Sequence, residues 1–141
     1  MKFKSLILSL LFSPMIAMAA APSGVMYKDP NCGCCGSHAK YLRDAGFQIK
    51  EQPTANMSEI KQKYGTDKAA SCHTIVMGGY AIEGHVPAAA ITKLLKEKPT
   101  AKGIAVPGMP ANSPGMGDYK PGTIEVMLIA KDGSVKSYGK F

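Results

Sequence analysis

The chain has 141 residues, a formal charge of +7, four cysteines, nine methionines and no tryptophan. That length suits one domain with its own core, so stability does not demand disulfide stapling. The positive charge is nearly all lysine and is scattered along the chain, as at Lys28, Lys40, Lys61 and Lys98, without the clustered arginine and interleaved aromatics of a nucleic-acid surface, so no nucleic-acid partner is expected.

Taken in chain order, the first feature is a leader. Lys2 and Lys4 precede the apolar run Ser5 to Phe12, and Ala17-Met18-Ala19 offers small residues at signal-peptidase spacing. Ser13-Pro14 interrupts the run too early for a membrane span. The expectation is a cleaved Sec-type signal over residues 1–19, a mature domain over 20–141, a periplasmic location and no membrane span after cleavage.

Val25-Met26-Tyr27 reads as a strand, and Asp29-Pro30-Asn31 as a turn into the cysteines. From Cys34 to Ala45, Cys35, Ala39 and Leu42 recur at helical spacing, with Gly46 as the stop. Phe47 to Glu51 alternates as a strand does. Asn56 and Glu59 resemble a capping box that opens a helix carrying Met57, Ile60 and Tyr64, ended by Gly65. Thr74–Met77 and Tyr80–Ile82 flank Gly78-Gly79 as a tight hairpin. Pro87 fits the first turn of a helix with Ile91, Leu94 and Leu95, which Pro99 stops. Thr100 to Gly122 holds Pro107, Pro110, Pro114 and Pro121 with little periodicity and reads as a long Gly/Pro/Met loop. Thr123–Ala130, the Asp132-Gly133 turn and Val135–Tyr138 make a closing hairpin. This order predicts an α/β, thioredoxin-like single domain with an appended C-terminal β-hairpin. Met26, Met57, Met77 and Met127 fall on element faces and are expected in the core.

The chemistry concentrates in Cys32-Gly33-Cys34-Cys35 and Cys72-His73. Cys32 and Cys35 form C-x-x-C at a strand-to-helix junction, where helix amides and the macrodipole favour thiolate. Cys34 inside the pair would scramble a purely redox disulfide. A bridge between neighbours Cys34 and Cys35 would be strained, and a Cys32–Cys35 bridge closes a tiny loop, so stapling explains the cluster poorly. Convergent thiolates suit a soft ion, copper(I) first. Zinc meets the donor types but normally uses better-spaced pairs; crowded thiolates that can bridge favour a polynuclear copper(I) cluster.

His73-Thr74 stands where a thioredoxin-like fold has Pro-Thr facing the cysteine loop, which would place Cys72 and His73 opposite the three thiols. His38 shares a helix face with Cys34 and Cys35, as ligand, orienting group or ordinary first-turn residue. His85 precedes a helix and serves as a ligand or as its cap. Met109 and Met116, in near-copies Pro107-Gly108-Met109-Pro110 and Pro114-Gly115-Met116-Gly117, present thioethers in a loop with no core to fill. The alternative for each is a structural role: small buried thiol, satisfied core imidazole, or loop-tip methionine.

Four stretches, Tyr27 to Cys35, Cys72-His73-Thr74, Glu83 to Pro87 and Ala105 to Pro110, resemble the CopG-type periplasmic copper-resistance proteins over nearly all of the mature chain. The resemblance implies a thioredoxin-like fold, a copper cluster on Cys32, Cys34, Cys35 and Cys72, and a role in copper tolerance, with cycling of copper between oxidation states as an option. It leaves open which histidines ligate. Copper ions are the expected cargo, with another periplasmic copper carrier or exporter as partner. The rival is an enzyme, a thiol–disulfide oxidoreductase using Cys32, as attacking thiol, and Cys35.

Overall fold

The computed structural model describes residues 19–141, so all of the expected leader except Ala19 lies outside the described residues. Hydrogen bonding and pairing divide them into β1 (Ser23–Lys28), α1 (Gly33–Asp44), β2 (Gln48–Pro53), α2 (Met57–Tyr64), β3 (His73–Met77), β4 (Tyr80–Glu83), α3 (Ala88–Glu97), β5 (Gly103–Ala105), β6 (Glu125–Ile129) and β7 (Val135–Lys140). Among the described residues no helix is long and apolar enough to cross a membrane.

All the strands share one mixed sheet in the order β2-β1-β3-β4-β5-β6-β7. β1 pairs in parallel with β2 and β4 with β5, each across an intervening helix, and the other neighbours are antiparallel. Parallel neighbours require a crossover, and α1 and α3 supply it. α1 turns Cys35, His38, Ala39 and Leu42 inward, a stripe at helical spacing, and α3 turns in Ala90, Ile91 and Leu94. Apart from His38, these meet Met26, Ile75, Ile82 and Ile104 in one apolar cluster. Burying a side chain such as Leu42 stabilises the domain by about 1.5–3 kcal/mol. At the β3–β4 hairpin, Gly78 and Gly79 have φ of +57° and +82°, the left-handed pair that a two-residue hairpin turn requires.

Strand direction decides where the functional residues go. β1 and β4 both run antiparallel to β3, so their C-terminal ends lie beside the start of β3: Lys28 pairs with His73, and Thr74 with Glu83. β5 runs with β4 and ends at the same edge, with Ala105 opposite Glu83. The loop after β1, the segment before β3, the loop after β4 and the long loop after β5 therefore converge at one end of the sheet.

The expected mixed α/β domain is present, with local corrections. Thr100 to Gly122 is not all loop, because Gly103–Ala105 forms β5. Three residues are too few to show a period, and what makes them a strand is the edge of β4. Asn56 makes no side-chain cap to α2, so the capping box is absent; the Asn56 N–H instead donates to Thr54 Oγ1 at 3.2 Å. Pro87 precedes α3 rather than opening it. Met26 and Met77 are buried, but Met57 and Met127 are only half-buried; Met57 is on α2, which buries no residue fully, and Met127 is the half-buried position of β6 between buried Val126 and Leu128.

Candidate metal centre

Cys32 caps the N-terminus of α1 without a side-chain bond to it. Cys34 and Cys35 fall in the first turn, Cys35 fully buried and Cys34 half-exposed. Cys72 immediately precedes β3 and meets them across the sheet end. The sulfurs of Cys32, Cys34, Cys35 and Cys72 all lie within 4.8 Å of one another. Cys32 and Cys34 sulfurs are 3.6 Å apart. Cys72 thus joins the thiols of Cys32, Cys34 and Cys35, far from it in sequence, because β1 and β3 are register neighbours.

One expectation fails here. Cys32 and Cys35 are joined as a disulfide, leaving Cys34 and Cys72 as free thiols. The first helical turn sets the Cys32 and Cys35 Cα atoms 5.4 Å apart, inside the range that a bridge needs. The small entropic benefit of a short loop governs how much such a bridge stabilises the fold, and has no bearing on whether it can close.

Behind the thiols sit three imidazoles. His38, His73 and His85 are each fully shielded from solvent, with ring centroids 4.9–5.0 Å apart. Burial holds all three basicities below the usual histidine range: His38 falls to about 3, and neighbouring His38 and His85 add to the lowering at His73. All three are therefore neutral near pH 7, with one N–H each.

Backbone carbonyls then dictate which nitrogen carries the hydrogen. His38 Nε2 donates to Val86 O at 3.0 Å, so His38 Nδ1 is bare and accepts from His73 Nε2 at 2.8 Å. That leaves His73 Nδ1 as a lone pair, 3.3 Å from Cys72 Sγ. His85 Nδ1 donates to Pro114 O at 2.7 Å, leaving His85 Nε2 as a lone pair, 3.0 Å from the same sulfur. Burial first, and then Cys34, pushes the Cys72 thiol up to about 11, so without a cation Cys72 keeps its proton. One proton faces two lone pairs.

The donors suit a soft cation: thiols that become thiolates, and imidazole lone pairs pointed inward. Cys72, His73 and His85 also lie within 4.8 Å of one another. His38 is brought beside them but has both nitrogens engaged, so its place is as an orienting group. The methionine loop reaches the site through backbone: Ser71 Oγ donates to Gly108 O, and Gly108 N–H donates to Ala70 O at 3.2 Å. Met109 beyond it is 56 % exposed and Met116 half-buried. Gly115 (φ +81°) presses so close that a Cβ there would come within 2.6 Å of the His38 backbone nitrogen, an approach that sets Pro114 O against His85.

Sequence reasoning missed the support beneath Cys72. Glu83 is fully buried and accepts from Lys61 Nζ, from the Ser71 N–H at 2.7 Å and from Thr74 Oγ1 at 2.5 Å. It clamps both sides of Cys72-His73. The available signal was a carboxylate ending the apolar run Tyr80-Ala81-Ile82, a position that burial makes costly unless the charge is paired.

A family model described as a protein of unknown function, DUF411, matches residues 69–116, the span holding Cys72, His73, Glu83, His85 and both loop methionines. No curated protein matches the chain. Two solved structures titled copper resistance protein CopG do. Form 1 is 37% identical with a TM-score of 0.76, covering 84% of this chain and 96% of that one. Form 2 is 36% identical with a TM-score of 0.78, covering 86% and 98%.

Proposed function

The chain belongs to the CopG family of copper-resistance proteins, and from that premise we propose that it is an exported periplasmic copper-binding protein. It holds copper(I) in a polynuclear cluster on Cys32, Cys34, Cys35 and Cys72, and protects the cell by sequestering the ion or passing it to another periplasmic carrier or exporter. The observation that carries this reading is the convergence of four sulfurs within 4.8 Å at a half-exposed sheet end. The β1-α1-β2 crossover, followed by the β3–β4 hairpin and α3, supports a thioredoxin-like description of the domain.

The bridged state offers two thiols. Reduction of Cys32–Cys35 by an external dithiol delivers two electrons and two protons, makes four thiols available and leaves the dithiol as its disulfide. Copper(I) then displaces thiol protons, so uptake is favoured by rising pH. Met109 and Met116, on the loop whose backbone reaches Ser71 and His38, would add thioether donors, which need no deprotonation.

The test is anaerobic copper(I) titration of the reduced chain beside Cys34→Ser. More than one copper per chain, thiols protected from alkylation, and a sharp loss in the variant are expected. The bridge itself favours a second reading, a thiol–disulfide oxidoreductase using Cys32 and Cys35. No retained copper, together with disulfide-substrate turnover that survives Cys34→Ser, would put that reading in its place.

A further inference from the structure

Cys72 belongs to two donor sets. One contains the other three sulfurs; the second contains only His73 and His85. The second set owes nothing to the state of Cys32 and Cys35. His73 is held by β3 and by His38, and His85 by the β4–α3 segment and Pro114 O. Neither histidine is on the C-x-C-C loop.

We propose that Cys72, His73 and His85 form a separate one-ion station for copper(I), which stays open when Cys32 and Cys35 are joined. The proposal rests on the copper-binding reading above. Two fixed carbonyl acceptors, Val86 O and Pro114 O, turn both lone pairs toward one sulfur. A thiol proton can satisfy one of those lone pairs at a time, whereas a cation bound to the thiolate satisfies both. The spacing also fits. Donors sharing one ion, at about 2.0–2.1 Å for nitrogen and about 2.3 Å for sulfur, stand roughly 3–4 Å apart, and the nitrogens lie 3.3 and 3.0 Å from Cys72 Sγ. Both imidazoles are shielded while Cys72 is half-exposed, so the sulfur is the entry. Imidazole with one thiolate is a harder set than thiolate alone and accepts copper with fewer cysteines. A bridged chain would then keep one ion where the thiol cluster keeps none.

The experiment uses the full chain in both states, bridged and reduced, titrated anaerobically with copper(I) against a competing chelator in thiol-free buffer. The bridged chain is expected to hold one copper. Its X-ray absorption should show nitrogen and sulfur neighbours together. His85→Gln should weaken the bridged site at least tenfold. No copper on the bridged chain, a sulfur-only shell, or a folded His85→Gln variant that binds as wild type would each overturn the station. The absorption measurement needs no variant, so a His85→Gln that fails to fold leaves the proposal exposed to refutation. A reduced chain that loads no more copper than the bridged one would instead sink the thiolate cluster of the broader reading.

Discussion

The two halves of the donor site differ in how firmly they are held. The imidazole half is wholly buried, and every nitrogen not facing Cys72 is tied to a backbone carbonyl or to another ring. The thiol half sits at a helix start, with Cys32, Cys34 and Cys72 half-exposed and two of its sulfurs in a bridge that reduction can open. Fixed hydrogen bonds pre-set donor direction and cost no reordering when an ion arrives. Thiols on a half-exposed turn can change bonding partners. One half keeps position and the other keeps chemical adaptability, and Cys72 is their shared atom.

Removing that shared atom should have the largest effect. Cys72→Ser is expected to abolish retention in both halves, lowering copper bound per chain under chelator competition more than any other single cysteine change. If the loss is no greater than for Cys34→Ser, the two halves do not share Cys72.

The next effect comes from the support. Glu83→Gln removes the charge that pairs Lys61 beneath Cys72, and breaking a buried pair typically costs about 3–5 kcal/mol. A fall in Tm of about 10 °C or more is expected by thermal denaturation. An unchanged Tm would mean that the Ser71–Thr74 segment is held by strand pairing alone.

His38→Gln addresses the difference between the halves most directly. It should leave the thiols in place but loosen the His73 ring. A metal's outer-shell partner is typically worth about 10–100-fold in affinity, and a loss of that order is expected at the bridged chain's site. Equal loss in the reduced cluster would show that the relay serves both halves.

The pH response is more gradual. A histidine whose folded-state basicity is depressed disfavours the folded state wherever the unfolded chain gains protons that the folded one refuses. Stability is therefore full above pH 6.5 and is lost as pH falls toward about 3, the value for His38. The slope is about 1.4 kcal/mol per pH unit for that residue alone, measurable by urea unfolding across pH. A flat profile between pH 6.5 and 4 would mean that the rings are not buried as neutral groups. Smallest of all, Met109→Ala should change stability by no more than about 0.5 kcal/mol, since its side chain is mostly in water.

Much of this was legible from residue order. Periodicity located α1 and α3, the pair Gly78-Gly79 located the β3–β4 turn, and the crowding of Cys32, Cys34 and Cys35 pointed to soft-metal chemistry. Two things escaped for a shared reason. β5 is a strand only because β4 presents an edge to it, and Cys32–Cys35 closes because the first turn of α1 sets its Cα atoms within bridging range. Both depend on neighbours in space rather than on local pattern.

The sequence alone thus determined the donor types, their grouping and the elements that carry them, since these follow from side-chain chemistry and short-range spacing. Only the tertiary structure decided that His38 relays while His73 and His85 present lone pairs. An imidazole's role is set by which nitrogen carries its hydrogen, and that is dictated by the carbonyls of Val86 and Pro114, brought there by strand direction and by a loop lying on α1.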